Sequence, residues 1–114
     1  MSKKSIDQIT GYHAHIYYDP DNRKNVEEIR EYLDANFNVT LGRWHDIPVG
    51  PHTAAMYQIA FAPSEFEKVA PWLMLNRQGA NILLHPETGN DLADHTEYAV
   101  WYGTRLDLIL DKLR

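Results

Sequence analysis

Six histidines dominate the chemistry open to this chain of 114 residues, and two of them alternate in the run His13-Ala14-His15. The other four are spread along the chain, at His45, His52, His85 and His95. Histidine exchanges protons near neutral pH and is the commonest metal ligand in proteins, so converging imidazoles could bind a divalent ion or move protons. The chain contains no cysteine. This excludes disulfides, thiolate zinc sites and iron–sulfur clusters, and leaves nitrogen and oxygen atoms as ligands.

The elements that must position these histidines follow from the spacing of apolar residues. Period-two stretches predict strands at residues 12–18, 39–45, 52–61, 80–84 and 95–102, and helical spacing predicts helices at 23–37, 64–76 and 105–113. Asn22 or Asp21 could cap the first helix, and Ser64 with Glu67 forms a capping-box pattern for the second. Pro71 predicts a kink or break within that second helix.

The predicted order is strand, helix, strand, strand, helix, strand, followed by an extra strand and helix. The first six elements match the α+β ferredoxin-like plan, in which both helices cover one face of a single sheet. We expect residues 1–10 to form an N-terminal arm and residues 11–114 to form one domain. An uncovered apolar sheet face needs a partner, an extension or a ligand. A homodimer is therefore expected.

Alternation along the strands assigns most of the histidines to one side of the sheet. One consistent choice places them on the open face, away from the helices; they are His13, His15, His52, His85 and His95. In the ferredoxin-like strand order, the start of the first strand lies beside the end of the fourth, so His13 and His15 should lie near His85. Neutral imidazoles packed together can bind a divalent ion, whereas protonated ones repel each other. These three residues are the predicted metal ligands.

Composition argues against two classes of partner. The formal net charge is -5 with no cluster of lysine and arginine, which disfavours nucleic-acid binding. No run of about 18 apolar residues predicts a membrane span. Met1 leads into polar residues without an apolar segment, so we expect no signal peptide and a cytoplasmic protein.

Three segments of the sequence resemble the DOPA 4,5-dioxygenase family. They are GYHAHIYYDP at 11–20, RWHDIPVGPHTAAMYQIAF at 43–61 and LLHPETGNDLADHTEYAVWYG at 83–103. The resemblance extends over about 100 of the 114 residues. It implies a ferredoxin-like fold that is often dimeric, and extradiol cleavage of a catechol such as 3,4-dihydroxyphenylalanine (DOPA) by O2. The implied cofactor is non-haem Fe(II), for which zinc can substitute in a purified sample.

The resemblance also suggests roles for individual residues. His13 and His15 match the family's H-x-H, His52 its G-P-H and His85 its L-H-P. We assign His13, His15 and His85 to the metal, and His52 and His95 to proton transfer, with His52 or Glu97 as alternative ligands. A substrate carboxylate could pair with Arg43, Arg77 or Arg105. The substrate ring could be lined by Tyr17, Met56 and Trp101.

Two other functions are compatible with the sequence. A ferredoxin-like module could bind a metal or small molecule without turnover, since fold alone does not decide function. A cofactor-free enzyme of the dimeric α+β-barrel type could use a histidine as base. Oxygen uptake with a panel of catechols separates the module from the dioxygenase, and activity that survives chelation would indicate the cofactor-free enzyme.

Overall fold

A five-stranded antiparallel sheet forms the centre of the computed structural model, which describes residues 2–114. The strands are β1 Gly11–Tyr17, β2 Thr40–Leu41, β3 Met56–Phe61, β4 Ile82–Glu87 and β5 Val100–Tyr102. Their order across the sheet is β2-β3-β1-β4-β5. The first four strands therefore follow the ferredoxin-like order, and β5 extends the sheet beyond β4. This confirms the predicted α+β architecture and its extra strand.

Two helices, α1 Arg23–Asn36 and α2 Phe66–Asn76, supply the main core on one face of the sheet. α1 buries Val26, Ile29 and Leu33, which recur at helical spacing. The strands contribute alternate residues to the same core, such as Ala14 and Ile16 of β1. The neighbouring residues of β1 consequently project from the opposite face. No helix within residues 2–114 is both long and apolar enough to cross a membrane.

The predicted helix caps differ from the observed ones. Asn22 is the N-cap residue of α1, but its side chain accepts a hydrogen bond from the backbone N–H of Asp19 instead of capping the helix. Ser64 lies inside a 3₁₀ turn, Pro63–Glu65, that precedes α2, so the predicted capping box does not form. Pro71 lies within α2, which nevertheless continues to Asn76.

The second face of the sheet carries a smaller apolar cluster of Tyr17, Met56 and Leu83, against which Trp101 and Leu108 pack. The C-terminal segment crosses this face. Its Leu108 forms an isolated antiparallel β-bridge with His52, in the loop before β3. Thr53 Oγ1 donates to the carbonyl of Asp107 at 2.7 Å, and the N–H of Ile109 donates to the carbonyl of Pro51 at 2.8 Å. The chain thus covers part of its own open face.

The same pairing explains why the predicted C-terminal helix over 105–113 was wrong. Backbone groups of this segment bond to the loop at Pro51 and His52, which requires an extended chain. Only a 3₁₀ turn, Leu110–Leu113, forms at the end. The predicted strand over 52–61 is also shorter than expected, since β3 begins at Met56.

Candidate metal centre

Two neighbouring strands bring three of the predicted ligands together. β1 lies between β3 and β4, and His13 is directly opposite His85 in the antiparallel register of β1 and β4. His15 lies two residues further along β1 and therefore on the same face. Ring nitrogens of these three histidines lie within 4.8 Å of one another. The structure thus confirms that His13, His15 and His85 share one face and meet.

The closest pair in the group is His15 and His85, whose Nε2 atoms lie 3.0 Å apart. His85 Nδ1 lies 2.9 Å from the carbonyl oxygen of Pro86. A carbonyl only accepts hydrogen bonds, so Nδ1 carries the ring proton and Nε2 presents a lone pair. Two nitrogens at right angles around one ion, each bonded at about 2.1 Å, would lie about 3 Å apart. The pair therefore fits a shared divalent ion.

His15 also has an unsatisfied atom. Its ring is 3% exposed, and its Nδ1 is buried without a hydrogen-bond partner among residues 2–114. A buried polar atom without a partner is unusual and often marks a place that an ion or water completes. The set of three imidazoles fits a metal-binding site. His15 Nδ1 is a separate unsatisfied atom, because an ion bound to Nε2 cannot also be bonded to Nδ1 of the same ring.

A carboxylate supports the third histidine. His13 Nδ1 lies 3.0 Å from Glu87 Oε1, and the same oxygen lies 3.6 Å from His85 Nδ1. A carboxylate that accepts from Nδ1–H fixes the tautomer and leaves Nε2 free for a metal, a common arrangement around metal-binding histidines. Glu97, the carboxylate suggested from the sequence, is exposed and joins no metal-binding group among residues 2–114. Glu87 was missed, although it lies two residues after His85 and therefore on the same face of β4.

His52 approaches the group from the loop before β3. Its Nδ1 lies 2.7 Å from the hydroxyl oxygen of Tyr17, and its ring centroid lies 4.2 Å from that of His15. Burial raises the pKa of Tyr17 well above its usual range, so the hydroxyl keeps its proton. His52 therefore contacts both Tyr17 and His15.

His95 also reaches the group, but not from a strand as predicted. It ends a short helix, α3 Asp91–His95. Asn90 precedes this helix, and its side chain accepts from the N–H of Ala93, a cap that starts a helix before the predicted strand. The ring centroid of His95 lies 4.0 Å from that of His85, and its Nδ1 lies 2.7 Å from the carbonyl oxygen of Asp91. His95 thus presents its Nε2 lone pair.

Burial keeps four of these imidazoles uncharged. It lowers the pKa of His52 to about 4 and that of His85 to about 4. Burial, aided by the neighbouring His52 and His85, holds the pKa of His15 well below its usual range. Burial also lowers the pKa of His13, although Glu87 partly opposes the shift. At neutral pH these four rings are neutral, which is the form that binds metals.

The expected wall of the substrate site is reduced to one residue. Tyr17 and Met56 are only 3% and 4% exposed, so their side chains are buried and do not line a substrate site. Trp101 is partly exposed and stacks on Tyr17, with ring centroids 5.7 Å apart. It borders a hollow of about 230 Å³ into which His95 also faces. A small ring could therefore lie against Trp101 and His95.

Known proteins share sequence with this chain over most of its length. The model of the Dopa 4,5-dioxygenase family matches residues 12–112. A DOPA 4,5-dioxygenase from Amanita muscaria is 34% identical over 116 residues, which cover 93% of this chain and 50% of that protein. An uncharacterized 21.2 kDa protein from Botryotinia fuckeliana is 30% identical, with 90% of this chain and 63% of that protein covered. The chain thus spans half to two thirds of these relatives.

A solved structure extends the comparison to the fold. The crystal structure of a candidate dioxygenase from Nostoc punctiforme PCC 73102 superposes with a TM-score of 0.97 and is 51% identical, and it covers 98% of this chain and 97% of the other. The family match over residues 12–112 and the superposed fold agree. This chain belongs to the Dopa 4,5-dioxygenase family.

Proposed function

We propose that this protein is a non-haem Fe(II) dioxygenase that opens the ring of a catechol by extradiol cleavage, with DOPA and its 4,5-bond as the model substrate and position. One observation carries the proposal. Three neutral imidazoles, from His13, His15 and His85, bring nitrogen atoms within 4.8 Å of one another in a chain of this family. Catechol and O2 are the proposed partners.

His13, His15 and His85 would hold the ion. Fe(II) bound here would acidify the catechol hydroxyls and hold the two reactants together. The chain prepares two of these ligands through fixed Nδ1 partners, the Glu87 carboxylate for His13 and the Pro86 carbonyl for His85. Such partners orient the rings and raise their basicity.

His52 and His95 would carry protons between the substrate and its surroundings. His95 borders the hollow, and its Nε2 has a free lone pair because Nδ1 donates to Asp91. It can accept a proton from a catechol hydroxyl. His52 lies deeper, and because its Nδ1 accepts from the Tyr17 hydroxyl, its Nε2 carries the ring proton and would be the group that returns a proton. The two histidines thus flank the proposed metal ligands from different elements.

Oxygen uptake tests the proposal. The protein is loaded anaerobically with Fe(II), mixed with DOPA and other catechols, and followed by an oxygen electrode and by the absorbance of the yellow muconic semialdehyde. We expect uptake that depends on both iron and catechol, and none when zinc replaces iron, because zinc has no redox chemistry. Iron-loaded protein that consumes no oxygen with any catechol would contradict the proposal. Turnover that survives chelation would indicate the cofactor-free enzyme instead.

A further inference from the structure

Two of the three proposed metal ligands have a fixed partner on Nδ1, and the third does not. The Glu87 carboxylate lies 3.0 Å from His13 Nδ1, and the Pro86 carbonyl lies 2.9 Å from His85 Nδ1. His15 Nδ1 is buried and has no hydrogen-bond partner in the described part of the chain. If His15 binds an ion through Nε2, its ring proton is on Nδ1, where it needs an acceptor. The site is therefore short of one acceptor.

Gln58 lies directly opposite His15 in the antiparallel register of β1 and β3. Its neighbours Tyr57 and Ile59 are fully buried in the main core, so Gln58 projects from the opposite face, which is the face of His15. The Cβ atoms of directly opposite residues are about 4.5–5.5 Å apart. A glutamine carries its amide on two methylene groups, so it can extend to the ring of an opposite histidine.

The amide of Gln58 is uncommitted. The residue is half-buried, and its side chain forms no hydrogen bond with any group of residues 2–114. Gly42, whose N–H donates to the Gln58 carbonyl at 2.7 Å, leaves space on the other side, because a Cβ atom there would lie 3.4 Å from Gln58 Cβ. The side chain can therefore turn towards His15.

Other groups on the neighbouring elements are less suited to accept from His15. Leu83, the opposite residue on β4, has no acceptor in its side chain. His52 Nδ1 accepts from the Tyr17 hydroxyl, so His52 Nε2 carries a proton and is a donor. The Tyr17 hydroxyl itself is directed at His52.

One further histidine, His95, presents a lone pair on Nε2. Its ring packs on that of His85, with centroids 4.0 Å apart, whereas its centroid lies 6.0 Å from that of His15. Gln58 is thus the neighbour that can reach His15 by rotation of its own side chain alone.

We propose that Gln58 is the positioning residue of His15, whose Nδ1–H donates to the Gln58 amide oxygen when Nε2 binds a divalent ion. The inference rests on the metal site of the proposed function, but it needs neither catechol nor O2. An amide oxygen is a neutral acceptor, so it orients the ring without adding a second carboxylate to the one that Glu87 supplies. Each of the three imidazoles would then have one acceptor on Nδ1.

The zinc-loaded protein tests this pairing without turnover, because zinc binds to imidazole nitrogen and has no redox chemistry. A crystal structure of the zinc-loaded wild type should place Gln58 Oε1 within hydrogen-bonding distance of His15 Nδ1, about 2.7–3.2 Å. Proton NMR should show a slowly exchanging Nδ1–H of His15 that is absent from Gln58→Leu. A zinc-loaded structure in which His15 Nδ1 bonds to another group, such as His95 Nε2, would overturn the inference.

Competition with a fluorescent chelator measures how much the pairing contributes to zinc affinity. Loss of an outer partner commonly weakens metal binding by about 10- to 100-fold, so Gln58→Leu should bind zinc at least about tenfold more weakly than the wild type. Gln58→Glu keeps an acceptor and should bind zinc at least as tightly as the wild type. Gln8→Leu is the matched control, since Gln8 is exposed on the N-terminal arm and its loss should not affect zinc affinity.

The outcomes separate this inference from the dioxygenase proposal. Equal zinc affinity in Gln58→Leu and the wild type would overturn the inference, whatever the oxygen uptake. A zinc affinity that depends on Gln58, in a protein that consumes no oxygen with any catechol, overturns the dioxygenase proposal and supports the role of Gln58. A wild-type protein that binds neither zinc nor iron overturns both.

Discussion

The Nε2 atoms of His15 and His85 lie 3.0 Å apart, although the two residues are separated by 70 positions in the chain. Because His85 Nδ1 donates to the Pro86 carbonyl, the His85 Nε2 faces its neighbour as a lone pair. Without an ion, His15 must donate its own Nε2–H, which leaves its buried Nδ1 without a partner. A bound cation would instead receive lone pairs from both rings. The 3.0 Å separation thus suits two ligands of one ion, and His15 Nδ1 lacks a partner in either arrangement.

Removal of His85 tests the metal site directly. We expect His85→Ala to retain its far-UV circular dichroism and to lose bound iron, with ring-cleavage activity reduced at least about a hundredfold, since a metal site depends on its ligand count. Metal content by inductively coupled plasma spectrometry and oxygen uptake measure the two effects. His45→Ala, which removes a histidine outside the predicted ligand set, is the control and should keep its iron. Undiminished iron in His85→Ala would exclude His85 as a ligand.

Glu87 should matter for metal affinity without being essential to the fold. Glu87→Gln removes the carboxylate that accepts from His13 Nδ1 at 3.0 Å. Loss of such an outer partner commonly weakens metal binding by about 10- to 100-fold. Competition with a fluorescent chelator measures the affinity. Glu97→Gln changes an exposed glutamate outside the group and should have no effect; equal affinities for the two variants would argue against this role of Glu87.

The metal-free protein should lose stability as the pH falls. In the unfolded chain histidines have a pKa of about 6.5, whereas the folded pKa values of His52 and His85 are about 4. Between these values the unfolded state binds more protons, so the free energy of unfolding decreases as the pH drops from 6.5 towards 4. The loss should be about 1 kcal/mol for each of the two histidines by pH 5.5.

Urea denaturation of chelated protein at pH 7.5 and pH 5.5 measures this loss. His52→Gln should show a smaller difference between the two pH values, because one of the titrating groups is absent. A wild-type protein that is equally stable at both pH values would show that these rings are not held neutral by the fold.

The hydroxyl of Tyr17 should contribute to stability through His52. Tyr17→Phe removes a buried hydrogen bond of 2.7 Å and leaves His52 Nδ1 without this partner. We expect a loss of about 1–2 kcal/mol in the free energy of unfolding and an unchanged iron content, because the predicted ligands do not include Tyr17. Tyr102→Phe is a matched control, since it removes a tyrosine bond to the Ala70 carbonyl away from the histidines. Loss of iron in Tyr17→Phe alone would place His52 among the ligands.

The shared face of His13, His15 and His85 was predictable from sequence because strand alternation is a local property. β1 and β4 are adjacent in the ferredoxin-like order, and their register then brings His13 opposite His85. His95 was predicted on the correct side for the wrong reason. The Asn90 cap and the positive φ of Gly89, 92°, begin a helix that ends at His95, which is the first residue of the predicted strand.

Contacts between distant segments account for the other errors. Residues 105–113 have helical spacing of leucines, but their backbone pairs with the loop at His52, and no local pattern reports such a pairing. Glu87 could have been found from parity, since it follows His85 by two residues. It was overlooked because the predicted strand ends at residue 84, whereas β4 continues through Pro86 to Glu87.

The central position of β1 has a consequence for how the site behaves over time. His13 and His15 lie on a strand whose backbone is bonded to β3 on one side and β4 on the other, so their amides should be among the slowest to exchange with deuterium. His95 lies at the end of a helix of five residues, which can fray at far lower cost. Local opening of the site should therefore begin at α3. The substrate ring can enter and leave there while the imidazoles on the strands stay in place.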